Sequence, residues 1–183
     1  MHREPLLTLL RQYEPTDATE KEMTQVTLDF VQRHPDCFDR SLLIGHITGS
    51  AWIVSPDRER VLLIHHRKLD RWLQPGGHAD GDPDVAAVAL REAQEETGLT
   101  SLKLVEDQKQ NPSIFDVDVH TIPARGEVPE HLHYDIRFLL EADPEEPFGF
   151  SEEIKNISWL TLLDVNNLDS SESILRMCRK IYH

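Results

Sequence analysis

The 183 residues of this chain predict an α+β domain. Three observations carry that expectation. Apolar residues recur at helical spacing over positions 4–33. From position 44 onward the runs become shorter and β-branched. One well-punctuated helical segment, 83–97, then sits between two groups of strand-like runs. The length suits one domain with a substantial core.

Residues 4–13 carry Leu6, Leu7, Leu9 and Leu10 and read as a short amphipathic helix, broken by Pro15-Thr16-Asp17. A second helix is expected over 18–33, with Met23, Val26, Phe30 and Val31 at helical spacing and His34-Pro35-Asp36 as its stop. Both fall within residues 1–40, an expected N-terminal helical extension that packs on the main sheet or forms a dimer contact. Residues 41–183 are expected to form the main domain as a single globular unit. Strands are expected over 44–54 and 60–66, joined by the turn Ser55-Pro56-Asp57-Arg58.

The central helix takes Asp82 as N-cap, Pro83 at its first position, Asp84 at its positive end and Gly98 just past its C-terminus. Ala86, Leu90 and Ala93 form a stripe of mostly small side chains suited to lying on a sheet. Further strands are expected over 102–105, 113–120, 134–141 and 154–160. The connections 121–130 and 144–150 are long or acidic and contain proline. A closing helix over 170–182 carries Ile174, Leu175 and Cys178 on one side.

Composition narrows the function. Hydrophobic residues at 39% and charged residues at 28% are ordinary for a globular domain. A formal net charge of −14 disfavours long nucleic acids, whose affinity comes from Lys and Arg on phosphates. It is compatible with a small phosphorylated substrate, because metal ions bridge carboxylate to phosphate. No apolar run reaches the length of a membrane span, and the run from Pro5 to Leu10 is too short for a signal peptide. Cys37 and Cys178 offer neither a disulfide framework nor metal-ligand spacing, so reduced buried thiols in a cytoplasmic protein are expected.

The chemistry concentrates in the central helix. Glu92, Glu95 and Glu96 stand at i, i+3 and i+4, so their carboxylates share one face. Like charges so spaced repel by roughly a few tenths of a kcal/mol per pair. They also lie in the last turn, where the helix dipole disfavours anions. A hard divalent cation such as Mg²⁺, which takes carboxylate oxygens, reverses both penalties. The competing reading is a solvated acidic face, the usual meaning of a charge run. Upstream, Gly76-Gly77 allows main-chain carbonyls close to a ligand or ion.

Gly77 followed by Arg91-Glu92-Ala93-Gln94-Glu95-Glu96-Thr97-Gly98-Leu99 resembles the Nudix box, with Trp72 and Gln74-Pro75-Gly76-Gly77-His78 similar to its lead-in. One position departs: Pro83 stands where the family carries an isolated Glu, and Asp80, Asp82 and Asp84 are the nearby carboxylates that could replace it. The resemblance implies an α/β/α sandwich with a mixed sheet over roughly residues 42–165. It also implies metal-dependent hydrolysis of the diphosphate bond in a nucleoside diphosphate linked to another moiety, by water attack on phosphorus. In that reading Glu95, Glu96 and the Gly76 carbonyl hold Mg²⁺ or Mn²⁺. Glu92 is a further ligand or helps to activate water, and Arg91 orients the carboxylates through a bidentate salt bridge. Glu152 or Glu153 resembles an extra glutamate that many members direct at the metals as a base; an exposed loop carboxylate is the equal alternative. Members are often homodimers.

Other residues carry weaker signals. His131, His133 and Asp135 alternate along a strand and share a face, suiting a transition-metal site or a substrate-contacting wall; a polar strand face with His–Asp hydrogen bonds is the simpler reading. His66 and Arg67 precede the Gly-Gly turn and could donate to substrate phosphates. Trp52 and Trp72 suit base stacking or, more simply, core packing. His46 and His78 carry no assignment from sequence. Two other functions compete: a non-catalytic nucleotide-binding or regulatory domain of the same type, and isoprenyl diphosphate isomerisation, which needs a cysteine at the substrate.

Overall fold

The computed structural model describes residues 2–108, 111–149, 154–168 and 171–181. Two helices open the chain, α1 (Glu4–Gln12) and α2 (Ala18–Arg33), followed by β1 (Gly45–Val54), β2 (Arg60–His66), β3 (Arg71–Leu73) and β4 (Gly76–His78). Then come α3 (Val85–Thr97), β5 (Lys103–Leu104), β6 (Ile114–Ile122), β7 (His131–Glu141) and β8 (Ile154–Thr161). Helices α4 (Leu162–Asn167) and α5 (Glu172–Ile181) close the described chain.

The strands form one 8-stranded mixed sheet with β3-β2-β1-β7-β5 as its main path; β4 also pairs with β1, β6 with β7, and β8 with β2. The β1–β7 pair is parallel. Its neighbours are antiparallel. Every residue of β1 is buried, as a strand covered on both faces must be. Alternation along it divides the core. Ile47, Ala51 and Ile53 pack with Val85, Val88, Ala89 and Ala93 of α3. Trp52 and Val54, with Val61 and Leu63 of β2, pack with Val165, Ile174, Met177 and Cys178 of α4 and α5. This is an α/β/α sandwich. A β-carbon on Gly49 would lie 2.8 Å from the Val85 carbonyl oxygen, so glycine there lets α3 rest directly on β1.

The N-terminal helices share the α3-side core through Leu6, Leu7, Leu10, Phe30 and Val31, and the Phe30 ring stacks on Tyr134 at 3.9 Å. Burying each such side chain stabilises by roughly 1.5–3 kcal/mol. Buried polar contacts add to this apolar docking: Glu20 of α2 pairs with Lys180 of α5, and the Tyr13 hydroxyl donates to the Phe115 carbonyl at 3.0 Å.

Several boundaries differ from the sequence-based expectations. The cap of α3 is Asp84, which accepts from the Ala87 amide, and Pro83 lies just before it. Asp82 cannot cap because its carboxylate accepts the Asp84 amide at 3.0 Å, forming a local turn instead. Gly98 does close α3, in the left-handed region at φ 70°. Strand β6 runs on to Ile122 and β7 starts at His131, shortening the loop between them. Helix α4, held by a Thr161–Asp164 capping box, was not anticipated. Leu175 is only half-buried, and Met177 takes the core position beside Ile174 and Cys178.

Candidate active site

Glu92 and Glu96, in the C-terminal half of α3, meet the glycines of β4, and Glu95 lies beside them on the same helix. The Gly76 amide donates to Glu96 Oε2 at 3.0 Å. A β-carbon on Gly77 would lie 2.5 Å from the Glu92 Cδ, so that carboxylate occupies the space a side chain would need. Glu95 is exposed, whereas Glu92 and Glu96 are half-buried. Burial raises the Glu92 pKa above the usual carboxylate value, and the Arg91 hydrogen bond opposes this only in part. Arg91 donates to Glu92 Oε1 at 3.2 Å and stands 3.7 Å from Asp82. Of the three aspartates near Pro83, Asp82 is therefore the one facing Arg91. Asp84 caps the helix, and Asp80 is bound by Arg40.

The far end of α3 is tied to the acidic loop. The Gly149 amide donates to the Thr97 carbonyl at 2.8 Å. Glu146 accepts from the Thr100 amide at 2.8 Å and the Ser101 amide at 3.0 Å. These contacts bring the chain to the carboxylate end of α3 just before residues 150–153. Glu152 and Glu153 themselves lie outside the described residues.

On the face of the sheet away from α3, Asp135 does not pair with His131 or His133. It is buried and accepts from Thr48 Oγ1 at 2.8 Å, Ser50 Oγ at 2.7 Å and Arg137 Nε at 2.8 Å. The expected His–Asp pairing on β7 is thus replaced by a cross-strand network, because Thr48 and Ser50 of β1 and Arg137 reach Asp135 first. A His–Asp bond occurs instead on β6, where His120 Nδ1 meets Asp118 at 3.1 Å. Arg137 also donates to Asp116 and Asp118, and Arg176 of α5 donates to Asp116 at 2.8 Å through two nitrogens. Sequence reading missed these buried groups; the only signal was the alternation Asp116-x-Asp118-x-His120 beside Asp135-x-Arg137.

His66 and Arg67 sit at the β2–β3 turn. His66 Nδ1 accepts from the Lys68 amide at 3.2 Å, and Arg67 donates to the Ile154 carbonyl at 3.3 Å. Trp52 is fully buried and Trp72 packs against the same cluster, as core residues. Cys37 and Cys178 are free and buried, and burial pushes each thiol up to about 11. Such thiols are poor nucleophiles, which removes support for the isomerase reading. A cavity of about 950 Å³ lies between α1 and the start of α3, lined in part by Leu9, Tyr13, Pro83 and Ile114, and it contains none of the α3 carboxylates. Among the described residues no helix is long and apolar enough to cross a membrane.

The fold is thus a mixed-sheet sandwich in which a glutamate-bearing helix closes on a Gly-Gly strand. A family model described as NUDIX domain matches residues 46–178, and the chain belongs to that family. An RNA pyrophosphohydrolase of Brucella ovis is 29% identical over 119 residues, covering 61% of this chain. The match takes in 64% of that relative, so the chain spans less than two thirds of its length. Among solved structures, a C. elegans Ap4A hydrolase in a binary complex has TM-score 0.57 at 20% identity, covering 74% of this chain and 94% of that one. The E. coli dihydroneopterin triphosphate pyrophosphohydrolase has TM-score 0.56 at 18% identity, with 74% and 94% covered. At these identities the structural likeness is one of fold.

Proposed function

We propose that the chain hydrolyses a phosphoanhydride bond in a nucleoside diphosphate linked to another moiety, or in a related polyphosphate, with water attacking phosphorus. The observation that carries this reading is the convergence of Glu92 and Glu96 on the Gly76-Gly77 edge. Three carboxylates and a main-chain carbonyl would supply an all-oxygen donor set, which suits Mg²⁺ or Mn²⁺. Glu95, Glu96, Glu92 and the Gly76 carbonyl would hold the ion. When bound, it supplies polarisation of phosphoryl oxygens and offsets the charge of the leaving group.

The chain's own residues do the rest. Arg91, steadied by Asp82, orients the Glu92 carboxylate toward the glycine strand. Glu92 accepts a proton from water or acts as a further ligand. Glu152 and Glu153 follow the segment tethered at Thr97, which supports their assignment as a base brought in from the loop. His66 and Arg67 are proposed substrate contacts, while His133, whose Nε2 is buried, and Asp135, engaged by Thr48, Ser50 and Arg137, are suited to shaping that wall rather than to touching substrate. Residues 1–40 act as a helical extension of a 41–183 catalytic unit. Free buried Cys37 and Cys178 support a reducing, cytoplasmic setting.

The name of the Brucella relative adds RNA to the substrates worth testing. A net charge of −14 favours engagement of a terminal phosphate group over a long stretch of backbone. The test is incubation with nucleoside diphosphate derivatives and a 5′-triphosphorylated RNA, with and without Mg²⁺ or Mn²⁺, reading released phosphate products. Turnover of at least one compound that Glu96→Gln abolishes without loss of fold supports the assignment. Ligand-dependent thermal stabilisation with no product anywhere in the panel supports the non-catalytic binding domain instead.

A further inference from the structure

Five histidines converge on the sheet face opposite α3. Even-numbered positions of β1 point away from α3, since the intervening Gly49 faces Val85 and Val88. His46 is on that face. Its Cα partner across the parallel pair is His133, and His133 in turn partners His120 of β6. His131 shares the face by alternation, and His78 of β4 closes the group. The His46 ring centroid lies 4.8 Å from His133, 5.1 Å from His131 and 5.0 Å from His78. The His133 ring is 5.5 Å from that of His120.

Neither ring nitrogen of His46, which is only 3% exposed, makes a well-formed hydrogen bond in the protein, although the Leu42 main chain lies near, and the buried Nε2 of His133 has no partner. Buried polar atoms are nearly always satisfied, so three on two adjacent rings mark a missing partner. The neighbouring groups are arranged as supports. His131 Nδ1 lies 2.9 Å from the Pro129 carbonyl and would donate to it, leaving Nε2 as a lone pair; His120 Nδ1 is held by Asp118 in the same way. Metal-binding imidazoles are typically oriented through the other nitrogen in this manner.

We propose that His46, His131 and His133 form a site for a Zn²⁺-class transition-metal ion, separate from the α3 carboxylates. One ligand atom from each lies within 4.8 Å of the others. Tetrahedral Zn–N bonds place ligand nitrogens roughly 3.3 Å apart, within reach of small side-chain rotations. His78 or a water would supply the fourth position. An all-imidazole set selects borderline metals such as Zn²⁺ over Mg²⁺, so the two sites would sort different ions.

The test is independent of turnover. Metal-stripped full-length protein is titrated with Zn²⁺ alone by calorimetry, and with Co²⁺ while recording the visible d–d absorption of four-coordinate cobalt. The expected result is one equivalent bound at micromolar affinity or tighter, with strong Co²⁺ absorption that Glu96→Gln leaves intact. His133→Asn should abolish the absorption. His131→Ala, at a half-exposed position that threatens folding less, should weaken binding about tenfold or more. Absence of Zn²⁺ uptake overturns the proposal, as does a cobalt signal that survives both histidine substitutions or disappears in Glu96→Gln.

Discussion

Gly98 and Gly149 meet backbone against backbone: a β-carbon on Gly98 would lie 2.5 Å from Gly149 Cα and 2.6 Å from its nitrogen. Gly98 also sits at φ 70°, where an L side chain costs roughly 1–2 kcal/mol. Gly98→Ala should therefore lower Tm by about 2–8 °C in a thermal scan, given roughly 2–4 °C per kcal/mol for a chain of this size. Gly149→Ala meets nothing nearer than 3.1 Å and should cost less than half as much. Because this contact tethers the segment entering residues 150–153, Gly98→Ala should also slow turnover beyond what its stability loss explains.

Asp116 is the centre of the buried charge network. It is fully buried and accepts from Arg137, Arg176 and Lys180. Removing one partner of such a network strands the opposite charges, at a cost of about 3–5 kcal/mol. Asp116→Ala should lose that much in chemical denaturation. Arg176→Met, which leaves Asp116 still paired with Arg137 and Lys180, should lose less.

Glu20 links the N-terminal helices to this network. Burial alone would raise its pKa, but hydrogen bonds from Lys180, Tyr13 and the Thr16 amide outweigh that and hold it at about 2. Lys180 and Arg176 face it from α5 and Asp116 from β6. The folded-state pKa is depressed, so the stabilisation is present above the unfolded value near 4.3 and is lost as pH falls toward 2. Denaturation midpoints measured between pH 6 and pH 2.5 should fall, and Glu20→Gln should flatten that decline while lowering stability at pH 7.

Much of this architecture was legible because it is local. The helical spacing of α1 and α2, the β-branched runs of β1 and β2, and the register of Glu92, Glu95 and Glu96 are all written within a few residues. What escaped is set across strands or by competition between neighbours. Asp82 looked like the cap until its bond to the Asp84 amide made Asp84 the better one. The three residues of β3 and of β4 are too few to show a period. Alternation placed His131, His133 and Asp135 on one face, but not that Thr48, Ser50 and Arg137 would claim the aspartate. Nor could it bring His46, His78 and His120 to the other two, since they come from three further strands.

Arg91 and Asp82 test what replaces the glutamate absent at Pro83. Their 3.7 Å contact is partly exposed on both sides and contributes about 0–1 kcal/mol. Asp82→Asn should thus reduce kcat/KM by less than about fivefold. Arg91→Ala also removes the 3.2 Å bond to Glu92 and should cost about 10- to 100-fold, the usual range for groups that orient metal ligands. Equal losses in the two variants would mean that Arg91 acts only through Asp82.

Gly77→Ala separates folding from chemistry at the carboxylate edge. Gly77 has no left-handed backbone angle, so alanine is tolerated by the main chain. Its methyl group would overlap the end of the Glu92 side chain, which is free to rotate away. Stability should change by less than about 1 kcal/mol, because a displaced half-buried carboxylate gains water in exchange for its contact with Arg91. Turnover should fall about a hundredfold or more, since an error of about 1 Å in a positioned group costs on that order. Kinetics and thermal scans on the same preparation distinguish this from general destabilisation: a large drop in Tm with residual activity proportional to folded protein would show that Gly77 serves the fold and not the placement of Glu92.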